Sequence, residues 1–389
     1  MNAPEAHLAR LRELLGSLLD LDLATLPESG LDRTPHWDSL MQLRIIMAVE
    51  SAFGISIPSS ALEQLTTYPA LEEFLLRARF APATSVSRTG PLHSPVARCS
   101  NRQVSRSNDQ LLQANVLSAL KPYYGRPVLV HCDALAAAAF VGRENLPGTG
   151  ILAAHAAWLD RLPVKLRISA FHYQFPRSGR IDLRTAPVEV GSLNQYMLEH
   201  WAGWRTTDPI FSWLVRTAEP AVDAWDGNHL VAFGERSAFA ESVAQQGAVL
   251  LYGTGARSLT LIHHAEWRAG GVPYRYQKRF VGNLVDWNGN RRNIDYLLHV
   301  RPWDCSLDYD WAGIAQTLIT AGAMRPLVPH APRCGYLVDA SGAVAALTQS
   351  IQCDPLCLLD RASRAWVEPA LSKLGRAFEL ADFETALVG

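Results

Sequence analysis

The sequence predicts two folds in one chain, a small all-α helical bundle followed by a mixed α/β domain. Apolar residues recur at helical spacing through the first 80 residues. From residue 111 onwards, short apolar runs typical of buried strands alternate with helical segments. Between these regions lies a stretch rich in Ser, Pro and Arg without apolar periodicity. We therefore expect a helical domain at 1–80, a flexible linker at 81–110 and an α/β domain at 111–389.

Four helices are expected in the first region. Leucines spaced by three and four residues predict a helix over 7–20, and a second apolar face predicts a helix over 39–53. Two shorter helical segments are predicted at 60–65 and 70–76. The first 80 residues hold 11 acidic and 6 basic residues, a net charge of −5, so this domain is acidic.

The second region combines strand and helix patterns. Predicted strands cover 127–131, 164–169, 248–252 and 336–338, predicted helices cover 191–201 and 237–246, and closing helices are expected around 366–380. We therefore expect a mixed α/β fold.

Composition excludes several classes of protein. A hydrophobic content of 48% and a charged content of 19% are typical of a globular protein. The net charge of −1 disfavours a nucleic-acid partner. No apolar run is long enough to cross a membrane and no targeting segment is visible, so a cytoplasmic location is expected. The closest cysteines, Cys353 and Cys357, form a poor zinc pattern, and we expect no metal site.

The motif Asp38-Ser39-Leu40 opens the second predicted helix. Serine is a favoured helix cap, so the motif alone also fits a purely structural role. Together with the surrounding helical pattern, however, it resembles the attachment site of acyl or peptidyl carrier proteins. That resemblance implies that Ser39 carries covalent 4′-phosphopantetheine, added by a phosphopantetheinyl transferase, and that a separate enzyme loads the acyl group. A helix N-terminus favours the phosphodiester that this attachment requires.

Six pieces of the second region, in order, resemble segments of the aminoglycoside 3-N-acetyltransferases. They are VLVHCDAL (128–135), ISAFHYQF (168–175), APVEVG (186–191), TDPIFS (207–212), FGERSAF (233–239) and the run LYGTG, HHAE and VPYR within 251–275. The resemblance implies an acyl transfer from a pantetheine thioester to an amine, without a covalent enzyme intermediate.

The deprotonating base is the first open question. His263 and Glu266 lie three apart in a predicted helix, so both can face one cleft. In the family a histidine before proline is the expected base, and Asp208 stands at that position here. Three explanations are open: a raised pKa of Asp208, replacement of the base by His263 or His264, or a catalytically degenerate domain that only binds the acyl group.

Other candidate residues lie on the donor side. We expect His131 and the loop with Gly253 and Gly255 to line the pantetheine path. Cys132 stands where the family usually has serine. It is either a buried structural thiol or a nucleophile that passes the acyl group, as a thioester, to a hydroxyl or a second carrier.

The fusion itself predicts the donor. A flexible linker of thirty residues spans roughly 30 Å, which lets a carrier arm reach a domain with a radius of gyration of about 19 Å. We therefore expect an N-acyltransferase that moves an acyl group from Ser39 to a small-molecule amine in natural-product or amino-sugar biosynthesis. A coenzyme A thioester is the alternative donor. Delivery within one chain and delivery to the partner in a homodimer both fit the sequence.

Overall fold

In the computed structural model the chain forms two compact units. The first unit consists of residues 1–113 and 133–155, and the second consists of residues 114–132 and 156–389. The structure describes most of the second unit and parts of the first. The described residues are 3–19, 21–22, 24–30, 34, 37, 45–46, 48–49, 52–53, 55, 65–80, 113–133, 150–216, 229–302, 307–328 and 334–384. Ser39 and the expected linker at 81–110 lie outside them.

The first unit contains helix α1 (Ala3–Leu19), a 3-10 turn (Leu26–Glu28) and helix α2 (Tyr68–Phe80). The leucine pattern of 7–20 indeed forms the first helix, and the helix predicted at 70–76 lies within α2. The apolar faces of these helices pack on one core of buried side chains. This core contains Leu11, Leu15, Leu19, Trp37, Ile45, Ile46, Val49, Phe53, Leu71 and Leu75. Helices at 39–53 and 60–65 stay predictions, since most of their residues are not described.

The described part of the second unit contains eleven strands. They are β1 (Pro127–Cys132), β2 (Lys165–Ser169), β3 (Arg180–Asp182), β4 (Trp204–Arg205), β5 (Trp213–Val215), β6 (His229–Val231), β7 (Ala248–Tyr252), β8 (Tyr276–Val285), β9 (Arg291–Val300), β10 (Met324–Pro326) and β11 (Gly335–Asp339). Strands β1, β2, β7 and β11 confirm the four strands predicted from apolar runs.

Seven of these strands form a mixed sheet in the order β10-β11-β7-β1-β2-β5-β4. The three central strands β7, β1 and β2 are parallel, and nearly every residue of β7 and β1 is buried. Burial on both faces explains why β7 and β1 are continuous apolar runs in the sequence, whereas β2 also has the exposed Lys165 and the half-buried Arg167. The outer strands β11, β10, β5 and β4 are antiparallel to their neighbours.

A second sheet of four described strands has the order β3-β8-β9-β6. Its centre is a ten-residue antiparallel hairpin of β8 and β9. Exposed and half-buried residues alternate along β8, so one face of this hairpin is solvated. The sequence analysis did not predict these strands, because their alternating polar residues give a much weaker signal than the buried runs.

The helices that follow are α3 (Gly150–Asp160), α4 (Phe175–Ser178), α5 (Ser192–His200), α6 (Ala238–Ala244), α7 (Ile262–Arg268), α8 (Trp311–Thr320), α9 (Ala340–Cys353), α10 (Arg361–Leu374) and α11 (Leu380–Phe383). Helices α5 and α6 confirm two predictions. Helices α10 and α11 confirm the closing helices expected around 366–380. Asp360 caps α10 at its start, and Gly375 ends it in the left-handed conformation.

A buried guanidinium holds together the segments on one side of the large sheet. Arg205 is fully buried, and it donates hydrogen bonds to the backbone oxygens of Ala170, Leu183 and Ala186 and to Ser212 Oγ. Three of these partners lie 19 to 35 residues before Arg205, and Ser212 lies seven residues after it. Because each bond satisfies a buried polar group, Arg205 fixes the backbone that leads to Phe171, Tyr173 and Phe211.

Among the described helices, none has both the length and the hydropathy that a membrane span requires.

Candidate functional site

Helix α7 carries the pair of residues that the sequence analysis selected for one cleft. His263 and Glu266 are separated by one helical turn, and His263 Nδ1 lies 2.9 Å from Glu266 Oε2. The structure therefore brings these two predicted site residues together. His263 has one fifth of its side chain exposed, whereas Glu266 is buried.

Glu266 is the centre of a buried polar cluster. Its Oε1 accepts hydrogen bonds from the hydroxyls of Tyr309, at 2.7 Å, and Tyr274, at 3.1 Å. Its Oε2 faces His263 and the Arg275 Nε, which lies 3.3 Å away. Arg275 also donates to Tyr309 and to the backbone oxygen of His299. Each carboxylate oxygen thus has two neighbouring donor groups, as a buried carboxylate requires.

The cluster keeps Glu266 ionised. Burial alone raises the pKa of a carboxyl, but the charge of Arg275 and the bond to His263 outweigh burial and lower the pKa of Glu266 to about 2. The carboxylate in turn raises the pKa of Arg275, against the effect of its burial. At neutral pH the pair is therefore a carboxylate and a guanidinium.

An ionised Glu266 decides the tautomer of His263. A carboxylate only accepts hydrogen bonds, so His263 Nδ1 must carry the proton of their shared bond. Burial lowers the pKa of His263, and so does the charge of Arg275, although Glu266 opposes both. The ring is therefore neutral at pH 7, with its lone pair on Nε2. That is the form a general base needs.

His263 lines a cavity of about 360 Å³ within the second unit. Four aromatic side chains form part of its wall, Tyr173, Phe211, Tyr309 and Trp311. The charged groups among its lining residues are Arg257, Arg275, Arg301 and Asp308. A cavity of this size, in which aromatic side chains and charged groups surround a titratable residue, can hold a small molecule.

Arg275, Tyr309 and Tyr274 are site residues that the sequence analysis missed. Tyr274 and Arg275 lie in the turn before β8, and Tyr309 lies just before α8. Tyr274 and Arg275 belong to the VPYR segment at 272–275, which is part of the family resemblance, so the sequence does contain a signal for these two residues. Tyr309 had no signal, because its distance of 43 residues from Glu266 is closed only by the fold.

Asp208 occupies a turn. Its Oδ1 accepts hydrogen bonds from the backbone N–H groups of Ile210 and Phe211 and from the hydroxyl of Tyr296. This is the capping role that a short acidic side chain commonly has before a turn. Phe211 lines the cavity, but Asp208 is not among its lining residues. Asp208 therefore caps a turn outside the lining of this cavity, and its role as a base stays a prediction.

The other candidate base, His264, points elsewhere. Its Nδ1 lies 2.7 Å from the backbone oxygen of Phe233, and its ring stacks on Trp267. His264 is buried and is not among the cavity-lining residues.

Cys132 lies at the end of β1 and contacts a polar side chain. Its Sγ is 2.7 Å from Asn194 Oδ1, and Asn194 Nδ2 donates to the backbone oxygen and hydroxyl of Ser169. Asn194 Oδ1 thereby accepts a hydrogen bond from the Cys132 thiol. The neighbouring His131 contacts other residues, as expected when successive strand residues face opposite sides. An acyl transfer through Cys132 stays a prediction.

His131 is enclosed by aromatic rings. Its ring lies edge-on to Phe171 and Trp213, at centroid distances of 5.7 and 5.6 Å. Within the described residues its Nε2 has no hydrogen-bond partner. Burial lowers the pKa of His131 to about 4. Its expected place on the pantetheine path stays a prediction, and the cavity beside His263 does not include it.

The glycine loop connects β7 to the cavity wall. Gly253 has φ of 73°, and its N–H donates to the backbone oxygen of Cys334. Gly255 is followed by a 3-10 turn (Ala256–Ser258), and the next residues line the cavity. The predicted pantetheine role of both glycines is not tested by this geometry. Within the described part of the chain, no group of three His, Cys, Asp or Glu side chains is placed to hold a metal ion.

Comparison with known protein families matches each region of the chain to one family. Residues 9–75 match the phosphopantetheine attachment site, and residues 153–344 match the aminoglycoside 3-N-acetyltransferases. Both resemblances found in the sequence are thereby confirmed. The second match contains His263, Glu266, Arg275 and Tyr309.

Solved structures support the fold of the large unit. The crystal structure of the aminoglycoside acetyltransferase AAC(3)-IIb is 21% identical, covering 63% of this chain and 97% of its own, with a TM-score of 0.50. A binary complex of AAC-IIIb with CoASH is 23% identical, covering 63% of this chain and 96% of its own, with a TM-score of 0.49. The likeness to AAC(3)-IIb confirms a mixed α/β acetyltransferase fold.

The buried His131 predicts how stability changes with pH. Its folded pKa of about 4 lies below the ordinary value near 6.5, so only the unfolded chain binds a proton between these values. Stability therefore falls as pH decreases through this window. His131→Leu removes this contribution, and we expect the loss between pH 7 and 4.5 in urea denaturation to shrink by about 2 to 3 kcal/mol.

Phe171→Leu is the control, because it alters the same packing without removing a titratable group. We expect it to lower stability equally at both pH values. An unchanged pH dependence in His131→Leu would contradict the assignment of a neutral buried ring.

Proposed function

We propose that the chain is an N-acyltransferase that moves an acyl group from a phosphopantetheine thioester on Ser39 to an amine of a small molecule. The observation that carries this proposal is the neutral His263, held by an ionised Glu266, at the wall of a small-molecule cavity. The two family matches support the same chemistry, since one concerns a pantetheine arm and the other an N-acetyltransferase.

His263 supplies the base for this reaction. An amine nucleophile must lose its proton, and His263 Nε2 takes that proton while Nδ1–H stays bonded to Glu266. The amine nitrogen bonds to the carbonyl carbon of the thioester, the C–S bond breaks, and the thiol leaves with a proton returned through His263. Glu266 stabilises the imidazolium between these two proton transfers.

Ser39 is proposed to be the donor site because the attachment-site match covers its position. The arm supplies the acyl group as a thioester. Attachment to the same chain raises the local donor concentration towards the millimolar range, which favours this donor over free coenzyme A thioesters. A role in natural-product or amino-sugar biosynthesis belongs to the same proposal, as do a phosphopantetheinyl transferase and a loading enzyme as partners.

We expect His263→Gln to lower kcat/KM about 10²- to 10⁴-fold, because the base is lost while the cavity keeps its shape. Amide formation from acetyl-coenzyme A and a panel of small amines, measured by mass spectrometry, tests this. In the unmodified chain, the acid limb of kcat/KM calculated on the concentration of uncharged amine should lie below pH 6.5, since the pKa of His263 is lowered and the base is lost when the ring binds a proton.

Asp208→Asn is the matched control. The amide oxygen of asparagine accepts the same turn hydrogen bonds, so we expect its rate to stay within about tenfold of the parent. The opposite result would be a 10²- to 10⁴-fold loss of activity in Asp208→Asn together with unchanged activity in His263→Gln. In that case Asp208 is the base and the proposal is wrong on this point.

We expect Ser39→Ala to abolish amide formation from acyl groups loaded on the chain and to leave transfer from free acetyl-coenzyme A unchanged. The hydroxyl to which the arm is attached is lost, whereas the large unit is untouched. Intact-protein mass spectrometry after treatment with a phosphopantetheinyl transferase reads out the arm, and product analysis reads out the amide. Ser17→Ala, within α1, should retain both. Full loading of Ser39→Ala would show that the arm is attached elsewhere.

A further inference from the structure

The charges around the cavity point to the class of amine that the enzyme accepts. We propose that the acceptor is a small amine that carries an aromatic ring and a carboxylate, and that Arg301 binds this carboxylate. This inference rests on the proposed function, since it assumes that the amine reaches His263. It excludes a polycationic amino sugar as the preferred acceptor.

The carboxylates at the cavity have little capacity left for a substrate ammonium. Asp308 is the acidic residue among the described lining residues. Its Oδ1 accepts from the backbone N–H of Tyr309 at 2.8 Å and from Trp311 Nε1 at 2.9 Å, and its Oδ2 pairs with Arg257 at 2.9 Å. Glu266 lies behind the wall with its four donor groups. The cavity thus has three arginines against one carboxylate that already pairs with Arg257, a charge balance that favours an anion over a polycation.

Arg301 differs from Asp308 in its ion pairing. It lines the cavity, and its Nη1 donates a hydrogen bond to the backbone oxygen of Leu307. Among the described residues it has no carboxylate partner, in contrast to Arg257 and Arg275. The charge of Arg301 also contributes to the lowered pKa of His263, so the two groups influence each other across the same cavity. A ligand carboxylate would balance this charge and can bind a guanidinium with two hydrogen bonds.

The aromatic side chains of the cavity wall indicate that the acceptor contains a ring beside the carboxylate that Arg301 binds. Tyr173, Phe211 and Trp311 offer ring faces and edges to a planar ligand. A pantetheine arm is uncharged near its thioester, and its phosphodiester lies at the opposite end. The anion that meets Arg301 close to the base therefore belongs to the acceptor, or to an acyl group that itself ends in a carboxylate. We assign it to the acceptor.

The test compares two acceptors of the same shape, 4-(aminomethyl)benzoate and 4-(aminomethyl)benzamide. Binding of each to the full chain is measured by calorimetry without a donor, and acetyl transfer from acetyl-coenzyme A is measured separately. We expect the benzoate to bind at least about tenfold more tightly, and Arg301→Gln to abolish this preference. Arg268→Gln, an exposed arginine of α7 outside the cavity, is the control and should keep it.

The two readouts separate this inference from the proposed function. A binding preference that depends on Arg301 supports the carboxylate site even when no amide forms, in which case only the acyltransferase proposal fails. Equal binding of the two amines, or a preference that survives Arg301→Gln, overturns the inference. It is also overturned if Arg301→Gln leaves the choice of amine unchanged and instead selectively slows succinyl transfer relative to acetyl transfer, because the anion would then belong to the acyl group.

Discussion

The buried carboxylate of Glu266 is the interaction on which the chemistry of the cavity depends. Two tyrosine hydroxyls, one imidazole and one guanidinium converge on it from α7, the turn before β8 and the segment before α8. Leaving any of these groups unpaired in the interior would cost several kcal/mol, so the cluster fixes the relative positions of three distant segments. The same contacts fix the protonation of His263. The structural and chemical roles of Glu266 are therefore inseparable.

Burial and a positive field act together on the proposed base. Burial lowers the pKa of His263 most, the charges of Arg275 and Arg301 lower it further, and Glu266 opposes them through its charge and its direct bond. The result is an imidazole that is neutral at physiological pH but correctly oriented, which suits proton abstraction from an amine. The field also favours the uncharged form of an incoming amine, since an ammonium would be repelled. One set of charges thus prepares both the base and the nucleophile.

Sequence reasoning was most successful where one segment carries the information. The buried strands β1 and β7, the helix with His263 and Glu266, and the two family resemblances were all predicted from local patterns. Tyr309 was missed, because only the tertiary fold brings it to Glu266. The β8–β9 hairpin was not predicted, because the polar residues of its solvated face interrupt the apolar pattern of the strands. The sequence shows that an aspartate, Asp208, stands where the family has a histidine. Only the structure shows that this residue caps a turn. For Ser39 and the linker the sequence remains the only source, since neither lies among the described residues.

The most direct test of the central claim is the protonation of His263 in the full chain, measured by ¹⁵N NMR of labelled histidine and assigned with His263→Gln. The cluster around Glu266 predicts a neutral ring at pH 7 with the proton on Nδ1, and a protonation midpoint below 6.5. A ring that is positively charged at pH 7, or a neutral ring with the proton on Nε2, would contradict the assignment of His263 as the base.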